Sequence, residues 1–334
     1  MELMMRKPVC ATLAVMMSLL FSPLSQAGQA WESYKARFFK PEGRIVDTGN
    51  GGVSHTEGQG FAMLMAVAND DKATFDKLWQ WTNRELKNKE NGLFYWRYNP
   101  AESNPVADKN NAADGDVLIA WALLKADARW HEKRYGAASD AITKALVAHS
   151  VIRYAGYRVM LPGVQGFKLD GEAILNPSYF VFPAWQAFAG RSHLPVWREL
   201  IKDGKRLLGK MGSGKADLPA DWVSLASDGK LEPAKSWPPR MSYDAIRIPL
   251  YLAWSDKQSP LLTPWKAWFG QFPREQTPAW VNVMTNEYAP YMMEGGLLAV
   301  RDLTMGQSSG EPEITSKDDY YSASLKMLAW ISAQ

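Results

Sequence analysis

Apolar positions recur along this chain with helical spacing. Residues 72–86 place Phe75, Leu78, Trp79 and Leu86 at three-, four- and seven-residue intervals. Such intervals gather side chains on one face of an α-helix, whereas a half-buried strand alternates every second residue. Residues 116–130 repeat the pattern with Val117, Leu118, Trp121 and Leu124. Residues 58–69 are apolar and rich in Met and Ala, and 137–149 are alanine-rich and amphipathic. Residues 196–211, 243–254 and 320–332 add further helical segments.

Three turn-rich stretches interrupt these helices, at 88–113, 156–179 and 213–240. The first carries Phe94, Tyr95, Trp96 and Tyr98, and the third Trp222 and Trp237. Long ordered loops in a compact domain usually carry function. No charge block, low-complexity tract or Pro/Ser linker divides the chain. Helices of about 11–12 residues with their loops fit roughly a dozen times into this length. The pattern predicts one all-α domain.

The N-terminus departs from it. Arg6 and Lys7 precede an apolar run at 11–21, followed by Pro23 and the small-residue exit Ser25-Gln26-Ala27. This order reads as a secretory signal peptide over 1–27, with one domain over 28–334. The apolar run is short for a bilayer span, and no later stretch qualifies. Export to the periplasm or the medium is the expectation.

Composition narrows the chemistry. Net charge is +3 from 38 basic and 35 acidic residues, which argues against a nucleic-acid binder. The single cysteine, Cys10, lies in the predicted leader, so the mature chain offers neither disulfide nor cysteine metal site. His55, His131, His149 and His193 lack ligand spacing. No metal and no cofactor are expected, which leaves the carboxylates.

Three carboxylate motifs stand out. Glu57 lies between a turn-rich segment and a helix, beside Gly58 and Gly60. It is either a dipole partner of the helix or a general acid. A helix N-terminus favours the charged carboxylate, so an acid there needs burial or a neighbouring negative charge. Asp114-Gly115-Asp116 opens the next helix, as a cap with its dipole partner or as site acids. Asp244 and Arg247 are three apart and would share a helical face within an aromatic and apolar segment.

Together and in this order, the three motifs resemble glycoside hydrolase family 8. The resemblance spans essentially the whole predicted mature chain. It is strongest to bacterial secreted endoglucanases, including those found with cellulose-synthesis genes. The family signature Ala-Ser/Thr-Asp-Ala/Gly-Asp, Ile/Met-Ala and a closing aromatic appears as Ala112-Ala113-Asp114-Gly115-Asp116, Ile119-Ala120 and Trp130. Ala113 departs from it, standing where the family has a hydroxyl.

The resemblance implies an (α/α)6 barrel of six inner and six outer helices. It implies hydrolysis of β-1,4-glucan with inversion, Glu57 being the general acid and Asp244 the general base. Inverting pairs typically stand about 6.5–9.5 Å apart, leaving room for a water. Asp114 is expected to hold the distorted sugar and to raise the pKa of Glu57 by like charge. Arg247 would keep Asp244 ionised and oriented, and Tyr243 would line the water's pocket. Trp96 is the leading sugar-stacking platform; Tyr179, Tyr320 and Asp116 complete the expected substrate contacts. Trp79, Trp81, Trp121, Trp130, Trp197 and Trp330 fall at helical spacing and are expected in the core.

The expected partner is cellulose or its oligosaccharides, and a functional link to a cellulose synthase complex stays open. A family 8 chitosanase or xylan hydrolase, a catalytically silent glucan-binding periplasmic protein and a polysaccharide lyase are the competing readings.

Overall fold

Polarity decides which layer each helix joins. A computed structural model describes residues 28–307 and 310–334; the predicted leader and Cys10 lie outside them. Along the chain run α1 (Gln29–Phe38), α2 (Thr56–Ala68), α3 (Lys72–Glu85), α4 (Ala113–Trp130), α5 (Lys133–His149) and α6 (Phe182–Ser192). They continue as α7 (Pro195–Leu208), α8 (Arg247–Ser255), α9 (Thr263–Phe269), α10 (Gly295–Thr304) and α11 (Tyr320–Ala333). In α2 every residue from Thr56 to Val67 except Glu57 is buried, which requires neighbours on all sides. In α7 only the face of Val196, Trp197, Leu200, Gly204 and Leu207, with Asp203, is buried, and charged residues cover the other.

The contacts close a ring. α2 packs on α4, α4 on α6, α6 on α8, α8 on α10, α10 on α11, and α11 returns to α2. Outside this ring α3 packs on α2, α5 on α4, α7 on α6, α9 on α10 and α1 on α11. The fold is an (α/α)6 barrel. Between α10 and α11, where a sixth outer helix would stand, no α-helix lies among the described residues. Side-chain caps fix two of the starts: Asp71 accepts from the Thr74 N–H at 3.0 Å and Asp319 from Ser322 at 2.7 Å.

Several boundaries shift by three or four residues, and one of these shifts bears on the site. Residues 243–246 form a turn, and α8 begins only at Arg247. Pro249 explains this, because proline lacks an N–H and is tolerated only in a helix's first turn. Helices α1, α6, α9 and α10 lacked a clear periodic signal.

Short strands tie the connecting loops. β1 (Ser54–His55) pairs with β2 (Arg97–Tyr98), and β3 (Val151–Tyr154) with β4 (Tyr157–Met160). β5 (Glu172–Leu175), β6 (Val223–Ala226) and β7 (Leu231–Pro233) form a three-stranded sheet, and β8 (Arg240–Met241) pairs with β9 (Val281–Asn282). All pairings are antiparallel. The loops at 88–113, 156–179 and 213–240 thus enter α4, α6 and α8, at the N-terminal ends of inner helices. Trp81, Trp121 and Trp197 are buried as expected, and Trp79, Trp130 and Trp330 pack half-buried against the core.

Candidate active site

Two inner helices cross where a side chain would not fit. A Cβ on Gly115 would lie 2.1 Å from Thr56 Oγ1 and 3.0 Å from the Glu57 nitrogen. A Cβ on Gly60 would lie 2.5 Å from the Leu118 Cβ. Glycine therefore lets α2 and α4 touch backbone to backbone, and the contact brings Glu57 and Asp114 to one place. Glu57 keeps 19% of its side-chain surface accessible and Asp114 only 4%.

The third acid arrives from α8. Arg247, itself buried, donates from Nη2 to Asp244 Oδ1 at 2.8 Å. Its Nη1 contacts Glu57 Oε2 and lies 3.9 Å from Asp114 Oδ2. One guanidinium therefore faces all three carboxylates. Asn176 Nδ2 donates to Asp244 Oδ2 at 3.2 Å, and Arg247 Nη2 donates to Ser178 Oγ at 3.0 Å. Ser178 Oγ in turn donates to Asn176 Oδ1 at 2.6 Å, which closes a hydrogen-bonded ring around Asp244 and Arg247.

Burial tunes these acids. It pushes the Asp114 carboxyl up to about 7, and the charge of Asp116 adds to the effect. A carboxyl so raised keeps its proton to higher pH than a free aspartate does. Asp244 keeps 35% of its side-chain surface open. It nevertheless sits among enough protein atoms that burial, then Asp221 and Asp114, push it up to about 7. Bonds from Asn176 and Trp222 oppose this shift without cancelling it. Arg247 thus orients Asp244, while burial first and the surrounding negative charge second raise its proton affinity.

The other expected contacts divide. Tyr179 is half-buried beside the acids, with the Arg247 guanidinium carbon 6.0 Å from its ring centre. Trp96 stacks parallel on His55 at 5.8 Å and donates its indole N–H to Asp108 at 2.7 Å. Its carbonyl accepts the Thr56 N–H at 3.0 Å, so the loop is fastened beside Glu57. Tyr243 is exposed and lines a cavity of about 510 Å³ with Tyr291 and Tyr321.

Two of the expected contacts lie buried. Asp116 is fully buried, and its oxygens accept from the Phe94 N–H at 2.9 Å and Asn111 Nδ2 at 2.8 Å. It fastens the 88–113 loop to α4 and has no face for a sugar. Tyr320 is buried against Gly58 and edge-on to Phe38, so its ring belongs to the core. The neighbouring Tyr321 is the one that reaches the cavity, and it donates its hydroxyl to the Tyr243 carbonyl. Asn176, Ser178, Asp221 and Tyr321 went unforeseen. Only the motif Asn176-Pro177-Ser178, an Asx turn, carried a local signal.

Glu57, Asp114, Asp244, Arg247 and Tyr321 lie at or just before the N-terminal ends of inner helices. Comparison with known proteins bears directly on this arrangement. The sequence profile described as Glycosyl hydrolases family 8 matches residues 5–334. The chain belongs to that family.

The endoglucanase of Cellulomonas uda is 61% identical to this family 8 chain over 312 residues, 93% of this chain and 87% of the relative. The crystal structure of endoglucanase Cel10, a family 8 glycosyl hydrolase from Klebsiella pneumoniae, matches with a TM-score of 0.91 at 65% identity. That match covers 92% of this chain and 99% of the other. The endo-beta-1,4-glucanase CMCax from Acetobacter xylinum gives 0.87 at 38% identity, over 91% and 97%. The family 8 chain is a glycoside hydrolase of the cellulase class. Among its described residues no helix is long and apolar enough to cross a membrane.

Proposed function

We propose that this enzyme cuts internal β-1,4-glucosidic bonds of cellulose with inversion, using Glu57 as general acid and Asp244 as general base. The observation that carries the reading is the single Arg247 guanidinium shared by the two carboxylates. Glu57 gives its proton to the leaving glycosidic oxygen and becomes a carboxylate. A water attacks the anomeric carbon from the opposite face and passes a proton to Asp244, which becomes neutral. One negative charge thus moves from Asp244 to Glu57 while Arg247 faces both. The total charge around the guanidinium does not change, so no surrounding dipole has to reorganise. Asp114, raised by burial, holds the distorted sugar at the cleavage point.

Carboxymethylcellulose and defined cello-oligosaccharides test this. Glu57→Gln and Asp244→Asn each abolish release of reducing ends while leaving the circular dichroism spectrum unchanged. Retention of about a tenth of wild-type activity, above the 10²–10⁴-fold loss typical of acid–base residues, overturns the roles. Early products carry the α-anomer by NMR; the β-anomer excludes inversion. The leader-like 1–27 segment supports export, to periplasm or medium. N-terminal sequencing of the secreted product tests it, with a start at Gly28 expected. Trimming of glucan made by a cellulose synthase complex uses the same chemistry.

A further inference from the structure

The backbone of the turn that carries Asp244 is gripped by a carboxylate from another loop. Asp221 lies just before β6. Its Oδ1 accepts the backbone N–H of Ser242 at 2.9 Å and that of Ala245 at 2.8 Å. Its Oδ2 accepts the Ser242 hydroxyl. The Asp221 N–H donates to the Arg240 carbonyl at 2.7 Å, so side chain and main chain grip both sides of the turn. The next residue stiffens the anchor. Trp222 stacks between Phe167 at 5.7 Å and Trp237 at 4.5 Å, nearly parallel to both. Among the described residues no Lys or Arg pairs with Asp221; burial raises its own carboxyl, and the N–H and O–H donors of the turn favour its charged form.

We infer that Asp221 is a positioning residue for the base: it aims Asp244 through the 242–245 turn and sets the pH at which Asp244 takes up its proton. The inference rests on the reading of Asp244 as base. The groups facing Asp244 are Arg247, Asn176 and Trp222, which favour its carboxylate, and Asp221 and Asp114, which oppose it. The Tyr179 and Tyr321 hydroxyls also feel its charge. Burial and Asp221 are the leading causes of the Asp244 shift.

The test is the pH profile of kcat/KM for Asp221→Asn on a cello-oligosaccharide. A base must be deprotonated to work, so its titration sets the acid limb. Removing a like charge lowers the pKa of Asp244, and the acid limb moves to lower pH by about one unit. The alkaline limb and KM stay where they are. An acid limb in the wild-type position, with Asp244→Asn inactive, overturns the inference alone. An active Asp244→Asn overturns the base assignment instead. Should Asp221→Asn fail to fold, Ser242→Ala decides by removing one hydroxyl from the anchor. It lowers kcat about three- to tenfold at unchanged KM, and a wild-type kcat overturns the inference.

Discussion

Glu57 and Asp114 stand on helices that touch through glycine, whereas Asp244 stands on a turn suspended from hydrogen bonds. At the α2–α4 crossing nearly every neighbour is apolar and buried, and position follows from close packing. At the turn, position follows from Asp221, Asn176 and Arg247, and a third of the Asp244 side chain stays open. Packing holds a side chain to a place at the expense of adjustability. Polar suspension tunes proton affinity and leaves room for a water. On the proposed roles, the acid meets a fixed oxygen of the substrate and the base accommodates a mobile nucleophile.

The comparison can be broken at its joint. Arg247→Met removes the cation common to both regions and leaves three carboxylates facing one another. Loss of about 3 kcal/mol in urea unfolding is expected, together with loss of activity. Stability within about 0.5 kcal/mol of wild type would show that the two regions stand independently.

Gly115→Ala strikes the crossing alone. The new methyl overlaps Thr56, so calorimetry should record a loss of about 1–3 kcal/mol, and activity falls as Glu57 is displaced. An unchanged melting temperature would mean that the helices slide apart freely.

Asp116→Asn sharpens the account of burial. Burial raises the carboxyl of Asp116 from 3.8 to about 7. The native chain then holds this proton more tightly than the unfolded one, and stability is lost as pH rises between those two values. Asparagine does not ionise, so the stability difference moves in the variant's favour between about pH 5 and about pH 8. Urea titrations at both pH values check this, and a constant difference rejects it.

The smallest effect on stability belongs to the turn. Asn176→Ala lowers kcat several-fold and costs about 1 kcal/mol. A larger stability loss than that of Gly115→Ala would reverse the contrast.

The chain's own pattern announced the crossing more clearly than the turn. Residues 58–69 and 116–130 are long and apolar enough to predict α2 and α4, and Gly60 and Gly115 stand beside the acids that they bring together. The roles of Glu57, Asp114 and Asp244 came from the family resemblance, since spacing alone left a helix-dipole reading open. The turn was misread as helix because its apolar spacing continues into α8, and Pro249 was the overlooked mark of the helix's first turn. Asp221 had no local signature at all. Its bonds reach residues 21 and 24 positions away, beyond any periodic window. Tyr320 and Tyr321 were confused because adjacent helical positions point about 100° apart, and periodicity assigns a face only when its phase is known. The strands were too short, at two to four residues, to register as alternation.

The ring closes on α11, and this sets an order of assembly. Tyr34 and Ser324, 290 residues apart, share a buried hydrogen bond, and Tyr320 covers Gly58 beside Glu57. Contacts this distant along the chain form late and slowly. A nascent chain that has reached Asp244 already carries all three carboxylates that face Arg247, but α2 still has one bare flank. Hydrolytic competence therefore waits for the final helix, and refolding should regain helical signal well before it regains turnover.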